Sequence, residues 1–298
     1  MRIVTRPDFD GVVCAVIFYE AENITEPVKW VEPNEMQNGL VEIQEGDIIS
    51  NLPYHEKCSL WFDHHYSNQI TTPFKGAFEI APSAAGVAYN YYKKDLKRDY
   101  SELIKQTDKI DSADLSLDEV LYPEKYQYVL LSMTILNRDK SDEPYWNKLV
   151  ELLGKFGIAE ILDDPEVKQR CEALIKENKK YKAFLEKHTT LNQHVSITDF
   201  RDFDEAPSGN RFLVYSLFPD SIVSVKIRYD YKDKKKVILS VGHSIFNKKC
   251  NVNVGQMLSG FNGGGHHGAG GCSFHITKAN EYISQILDIL IKNEPNER

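Results

Sequence analysis

The sequence predicts an α/β protein with an N-terminal parallel-sheet domain, a helical linker and a smaller mixed-sheet α/β domain at the C-terminal end. Three observations carry this. Short β-branched and aromatic runs first alternate with helical stretches, a pattern that favours crossover connections and a parallel sheet. Helical spacing then dominates the middle of the chain. After Asn192 the pattern turns to alternating, strand-like segments. The expected boundaries are residues 1–155, 156–191 and 192–298.

Taken in order, Ile3-Val4-Thr5 reads as a strand running straight into an acidic loop that holds Asp8 and Asp10. Val12 to Phe18 is apolar on all sides, as a buried helix would be. Val28–Val31 and Asp47–Ser50 read as the second and third strands, and Leu60-Trp61-Phe62 as a short fourth that delivers Asp63-His64-His65. Ligands of parallel sheets collect at the carboxyl ends of strands, where both motifs fall. Ala84–Tyr92 reads as a helix, and a largely helical region runs from Tyr100 to about Gly154. Asp164, Pro165 and Glu166 supply a cap, a first-turn proline and a capping-box carboxylate. Val167, Cys171, Leu174, Tyr181 and Leu185 then recur at helical spacing, so a connecting helix is expected over 160–190. His194–Thr198, Ile222–Arg228 and Lys236–Val241 follow as strands, with Lys232–Lys236 as a solvated turn. Asn251–Gly255 introduces a short helix ahead of a glycine-rich run, which reads as a loop.

A formal net charge of −8 argues against coating long nucleic acids, since nonspecific binding needs many Lys and Arg against many phosphates. The five cysteines are scattered without a Cys-x-x-Cys, which indicates reduced thiols rather than a disulfide framework or zinc ribbon. No signal-peptide pattern and no membrane-spanning apolar run is found, so the expectation is a cytoplasmic protein.

The chemistry concentrates in three motifs. In Arg6-Pro-Asp8-Phe-Asp10-Gly11, two carboxylates one residue apart leave a strand and can face one cation, and the glycine permits a tight turn. In Asp63-His64-His65, a neutral imidazole suits manganese or zinc, and the adjacent carboxylate can orient a ring. In Gly263–Gly271, six glycines accompany His266 and His267, and backbone amides could cradle phosphoryl oxygens while His266 donates to them. Asp108 and Asp111 stand about one helical turn apart, so either could face the same cleft. His243 and His275 stand singly and read as core or surface histidines.

These motifs, in this order, resemble those of the DHH phosphoesterase superfamily, and most of all sequences described as exopolyphosphatase-related. The resemblance covers both domains. It implies a divalent-metal centre, usually manganese, and two domains that close over a phosphorylated substrate. Carried over by position, it implies that Asp8 serves a first metal, Asp10 and His64 a second, and that His65 faces the phosphate. It implies a further aspartate ligand, Asp111 ahead of Asp108. Gly264, Gly265 and His266 would bind substrate, and Arg228 would hold phosphate or carboxylate as a bidentate fork.

Two departures change that expectation. Arg6 stands where the family pattern has histidine, and Asn51 where it has a bridging aspartate. A guanidinium cannot ligate a metal, and an amide oxygen is neutral. One ion is therefore expected rather than two, held by Asp10, His64 and Asp111 or Asp108, with Arg6 clamping phosphate and Asp8 pairing with Arg6. Asp63 would orient a histidine or support the metal shell. The expected activity is hydrolysis of a phosphoanhydride or phosphodiester bond in polyphosphate, a short oligonucleotide or a nucleotide. The alternative is a catalytically impaired binding or regulatory protein. No membrane partner is expected, a homodimer is compatible, and Asp47 and His55 are reserve ligands should the motif alignment shift.

Overall fold

The computed structural model describes residues 1–135 and 140–296. The chain divides into two compact units, Met1–Leu115 with Pro123–Glu172, and Ser116–Tyr122 with the chain from Ala173 onward.

In the first unit, β1 (Arg2–Thr5), β2 (Lys29–Trp30), β3 (Asp47–Ser50), β4 (Leu60–Asp63) and β5 (Gly76–Phe78) form a parallel sheet in the order β2-β1-β3-β4-β5. Helices α1 (Phe9–Ala21), α2 (Pro33–Gln37), α3 (Ala84–Tyr92) and α4 (Ser101–Asp111) follow the strands, and α5 (Leu117–Leu121) falls in the second unit. Helices α6 (Gln127–Met133), α7 (Glu143–Lys155) and α8 (Ile158–Asp163) complete the first unit, and α9 (Pro165–His188) continues from it into the second. Successive residues Ile48 and Ile49 of β3, and Trp61 and Phe62 of β4, are all buried, although they point to opposite faces. Both faces of the sheet are therefore covered, as parallel sheets require. Helix α1 is buried from Phe9 to Phe18 and packs against α3, α4 and α7, which explains its lack of a polar side.

The topology places the site. Chain order runs outward from β1 to β2 on one side, and through β3, β4 and β5 on the other, so the switch point lies between β1 and β3. The register pairs Thr5 with Ser50 and Ser50 with Phe62, which brings the carboxyl ends of three strands level. From those ends emerge the Arg6–Asp10 segment, Asn51 and the Asp63-His64-His65 segment. The three-residue strand β5 is an addition to the sequence expectation.

In the second unit, β6 (Thr189–Asn192), β7 (Val195–Asp199), β8 (Val223–Tyr229), β9 (Lys236–His243), β10 (Gly263–His266) and β11 (Ala269–His275) form a sheet in the order β10-β11-β9-β8-β7-β6. Only β7 and β8 pair in parallel; the sheet is otherwise antiparallel. Helices α10 (Leu213–Leu217), α11 (Val254–Ser259) and α12 (Ala279–Lys292) accompany it. Val223, Val225 and Ile227 of β8 share a core with Val237, Leu239 and Val241 of β9 and with Leu258, Ile286 and Leu290 of the helices. Alternation therefore turns Ser224, Lys226 and Arg228 to the opposite face.

The glycine-rich run departs from the expected loop: it is the hairpin β10–β11. Several of its glycines are required by that packing. A Cβ on Gly263 would meet the Gly271 carbonyl oxygen at 2.4 Å, and one on Gly265, where φ is +151°, would meet the Ala269 oxygen at 2.3 Å. No helix among the described residues is long and apolar enough to cross a membrane.

Gly11 tests the turn that carries the acidic motif. A Cβ there would sit 1.9 Å from the Arg6 carbonyl oxygen. Gly11→Ala is expected to lower the unfolding free energy by about 2–3 kcal/mol, read from the urea midpoint, because backbone must move to admit it. An unchanged midpoint would show that the turn is not tight.

Candidate functional site

Asp10 lies in the first turn of α1 and is buried. Its two oxygens accept the first backbone amides of α3: Ala85 N–H donates to Oδ1 at 2.7 Å and Ala84 N–H to Oδ2 at 3.0 Å. These are amides that a helix start cannot satisfy internally, and their dipole favours the anion. Ser83 caps the helix and accepts from Gly86 N–H at 2.9 Å.

His64 faces Asp10. Its Nδ1 lies 2.9 Å from the Ala81 carbonyl oxygen, which can only accept, so in the neutral ring the proton sits on Nδ1 and Nε2 carries the lone pair. That Nε2 is buried without a hydrogen-bond partner, 3.9 Å from Asp10 Oδ2 and 3.4 Å from Asp111 Oδ2. Ligand atoms of Asp10, His64 and Asp111 lie within 4.8 Å of one another. Burial, reinforced by neighbouring carboxylates, pushes Asp10 up to about 7 and Asp111 up to about 8. An orphaned imidazole lone pair facing two crowded carboxylates fits a divalent cation, which removes the repulsion and takes the lone pair.

Asp63, His64 and His65 form a second close group, but its carboxylate is already engaged by donors from His64, His65 and Asn68. Asp63 Oδ1 accepts from His64 N–H at 2.9 Å and from His65 Nδ1 at 2.8 Å, and Oδ2 from Asn68 Nδ2 at 2.6 Å. Asp63 therefore orients His65 and raises its pKa, which favours the protonated ring, the form in which Nε2 can donate as well.

The two departures from the family pattern meet on one carboxylate. Asp8 Oδ1 accepts from Gly11 N–H at 2.8 Å and from Asn51 Nδ2 at 2.9 Å, while Arg6 Nε lies 3.2 Å from Asp8 Oδ2. Arg6 also lies 3.8 Å from Glu32. Asn51 adopts φ 54°, which asparagine tolerates better than most residues. Asp8 is thus held by a guanidinium, an amide and its own helix start.

Asp108 is turned elsewhere: its Oδ1 accepts from Ser83 Oγ at 2.5 Å. Asp47 begins β3, at the other end of that strand from the site, and pairs with Arg2 at 2.7 Å. The reserve candidate His55 accepts from Lys57 N–H at 3.3 Å. In the second unit, His266 is exposed at the end of β10, and Gly264 is a glycine whose Cβ would meet nothing within 4 Å. Gly265 is tied into the hairpin. Arg228 and His266 share the face of the sheet opposite the apolar core, through the register His266–Ala269–Gly242–Ser224. They stand three strands and four residues apart, which sheet spacing makes roughly 20 Å. His243 Nε2 lies 2.9 Å from the Val252 carbonyl oxygen, a structural contact.

Sequence reasoning missed Ser83, the Ala84 and Ala85 amides, the Ala81 carbonyl and Asn68. Ser83 ahead of Ala84-Ala85-Gly86 is an N-cap pattern that could have been found. The carbonyl and amides carry no residue-type signal.

Both raised carboxylates exceed their unfolded values, so their contribution to stability is full below about pH 4 and is lost as pH rises through about 7 and about 8. Metal-free protein is expected to lose thermal stability from pH 4 to 8 by calorimetry, and Asp111→Asn to flatten that fall. Mn2+ should raise the midpoint of the wild type at pH 8 far more than that of Asp111→Asn. A wild-type midpoint that climbs from pH 6 to 8 without metal would contradict this electrostatic picture.

No family model and no curated protein matches the chain. Among solved structures, it is similar to the pGpG-specific phosphodiesterase PggH from Vibrio cholerae, at 32% identity, 98% coverage of this chain and 99% of the other, and a TM-score of 0.87. An exopolyphosphatase-related protein from Bacteroides fragilis shares the fold at 13% identity and TM-score 0.52, over 96% of this chain and 91% of the other. RecJ from Thermus thermophilus, solved with Mn2+, shares it at 12% identity and TM-score 0.57, over 98% of this chain and 52% of the other. With its three motifs on this fold, the chain belongs to the DHH phosphoesterase superfamily.

Proposed function

We propose that the chain is a metal-dependent phosphodiesterase that hydrolyses a short linear dinucleotide of the pGpG kind. The observation that carries this reading is the full-length likeness to PggH at 32% identity. The site supports it. Asp10, His64 and Asp111 would hold one divalent ion, with Mn2+ the first choice. Such an ion, when bound, supplies charge neutralisation for phosphoryl oxygens and lowers the pKa of water.

The chain's own residues do the rest. Arg6, anchored by Asp8, and His65, oriented by Asp63, donate to phosphoryl oxygens. Ala81 orients the His64 ring so that Nε2, not Nδ1, faces the carboxylates. In the second unit, His266, the open backbone at Gly264, and Arg228 bind the substrate's charged groups. Tyr66 follows His65 directly and is 77% exposed, which offers a face on which a nucleobase can stack and favours a nucleotide over polyphosphate. The five cysteines are free thiols, which supports a cytoplasmic location.

A second reading, a binding or regulatory protein with impaired turnover, is favoured by one observation. Asp8 is occupied by Arg6 and Asn51, which leaves a single cation to do the work of two.

A panel of pGpG, cyclic dinucleotides, polyphosphate and pyrophosphate, assayed with Mn2+, separates the readings. Turnover of pGpG that His64→Ala abolishes is the expected result; tight pGpG binding without products would establish the second reading. Tyr66→Ala is expected to raise KM for pGpG about tenfold. Arg6→His with Asn51→Asp is expected to raise bound Mn2+ from one towards two per chain by elemental analysis. A stoichiometry already at two in the wild type would overturn the single-ion centre.

A further inference from the structure

We infer that Asp108 is a positioning residue that fixes the start of α3 and thereby aims Asp10. This rests on the reading of Asp10 as a metal ligand, and it gives Asp108 a role other than ligation. The amides at the beginning of α3 are fully accounted for. Ala84 and Ala85 donate to Asp10, Gly86 donates to the Ser83 side chain, and Val87 donates to the Ser83 carbonyl oxygen at 3.4 Å. Two of these four bonds end on a buried carboxylate beside the orphaned His64 Nε2. The orientation of that carboxylate is set by where the first turn of α3 sits.

What sets the first turn is Ser83, and what sets Ser83 is Asp108. The serine hydroxyl has one proton. It accepts from Gly86 N–H at 2.9 Å and spends the proton on Asp108 Oδ1 at 2.5 Å. The result is a one-way chain from helix amide to hydroxyl to carboxylate, in which each bond polarises the next. Ser83 is fully buried, so its hydroxyl has no water to turn to. Gly86 belongs to the same bracket. A Cβ there would lie 2.7 Å from Asp108 Oδ1 and 3.3 Å from Ser83 Oγ, so the carboxylate reaches the serine only because residue 86 has no side chain. Asp108 also supplies no atom to the Asp10–His64–Asp111 cluster. It lies one turn before Asp111 on α4, so one helix delivers a ligand directly and steadies another through α3.

The experiment has two readouts on the intact protein. The first is amide hydrogen exchange of Ala84, Ala85 and Gly86 without metal; the second is Mn2+ affinity by titration calorimetry. Asp108→Ala is expected to speed exchange of the three amides by about tenfold or more and to weaken Mn2+ binding by about 10- to 100-fold with stoichiometry unchanged. Asp108→Asn keeps an acceptor for the serine proton and should restore both to within about threefold of the wild type. Gly86→Ala, which crowds Asp108 off the serine, should reproduce Asp108→Ala, and combining the two should add little. Unchanged exchange in Asp108→Ala overturns the inference. So does loss of Mn2+ stoichiometry with exchange unchanged, which would make Asp108 a ligand, and so does failure of Asp108→Asn to rescue. If the wild type binds no Mn2+, the metal reading fails on its own, while the exchange data still decide whether Asp108 holds the helix start.

Discussion

Asp10 must keep a carboxylate in a place that water does not reach, and much of the first unit follows from how that is done. Burial alone favours the neutral acid, and Asp8 nearby adds repulsion. Against this the fold sets two amides at the start of α3, where the partial positive charge of a helix end is concentrated. The amides can serve only if α3 begins at the carboxyl end of the sheet and α1 packs tightly beside it. The apolar girth of α1 and the small residues Ala84, Ala85 and Gly86 are the sequence-level means to that close approach.

The two departures from the family pattern are coupled. Asn51 donates to the same carboxylate that Arg6 approaches, so each makes sense in the presence of the other. A guanidinium keeps its charge at any physiological pH and presents its donors in a plane, which suits a phosphate. It has no empty orbital, so it can neutralise phosphate charge but cannot coordinate a water and lower its pKa as a metal ion does. The centre is therefore asymmetric, with a fixed organic cation on one side and the Asp10–His64–Asp111 donors on the other.

Most of the fold was legible, and the reasons for the remainder are physical. The strands β1 to β4 and helix α3 stood out because parallel strands read as short apolar runs punctuated by polar strand ends. Strand β5 is three partly exposed residues, too short for any periodicity. The hairpin β10–β11 reads as a loop in the sequence because glycine has no side chain with which to show alternation. Helix α12 shows helical spacing at Ile283, Ile286, Leu287 and Leu290, a signal the sequence expectation leaves out. At the site, the sequence could not choose between Asp108 and Asp111, since both lie on one face of α4. The choice depends on Ser83, 25 residues earlier, whose hydroxyl draws Asp108 away. Tautomers and free amides have no letter in a sequence, so the direction in which His64 turns its Nε2 emerges only in the fold.

In the second sheet, Arg228 and His266 are held at a fixed separation on one face by three strand spacings and four residues. A lone phosphate group measures only a few ångströms across and can engage one end of it at a time. A ligand that touches both must carry charges at separate points along an extended body. If both side chains bind the proposed substrate, the register of the sheet, rather than any one contact, sets the length of ligand that face favours.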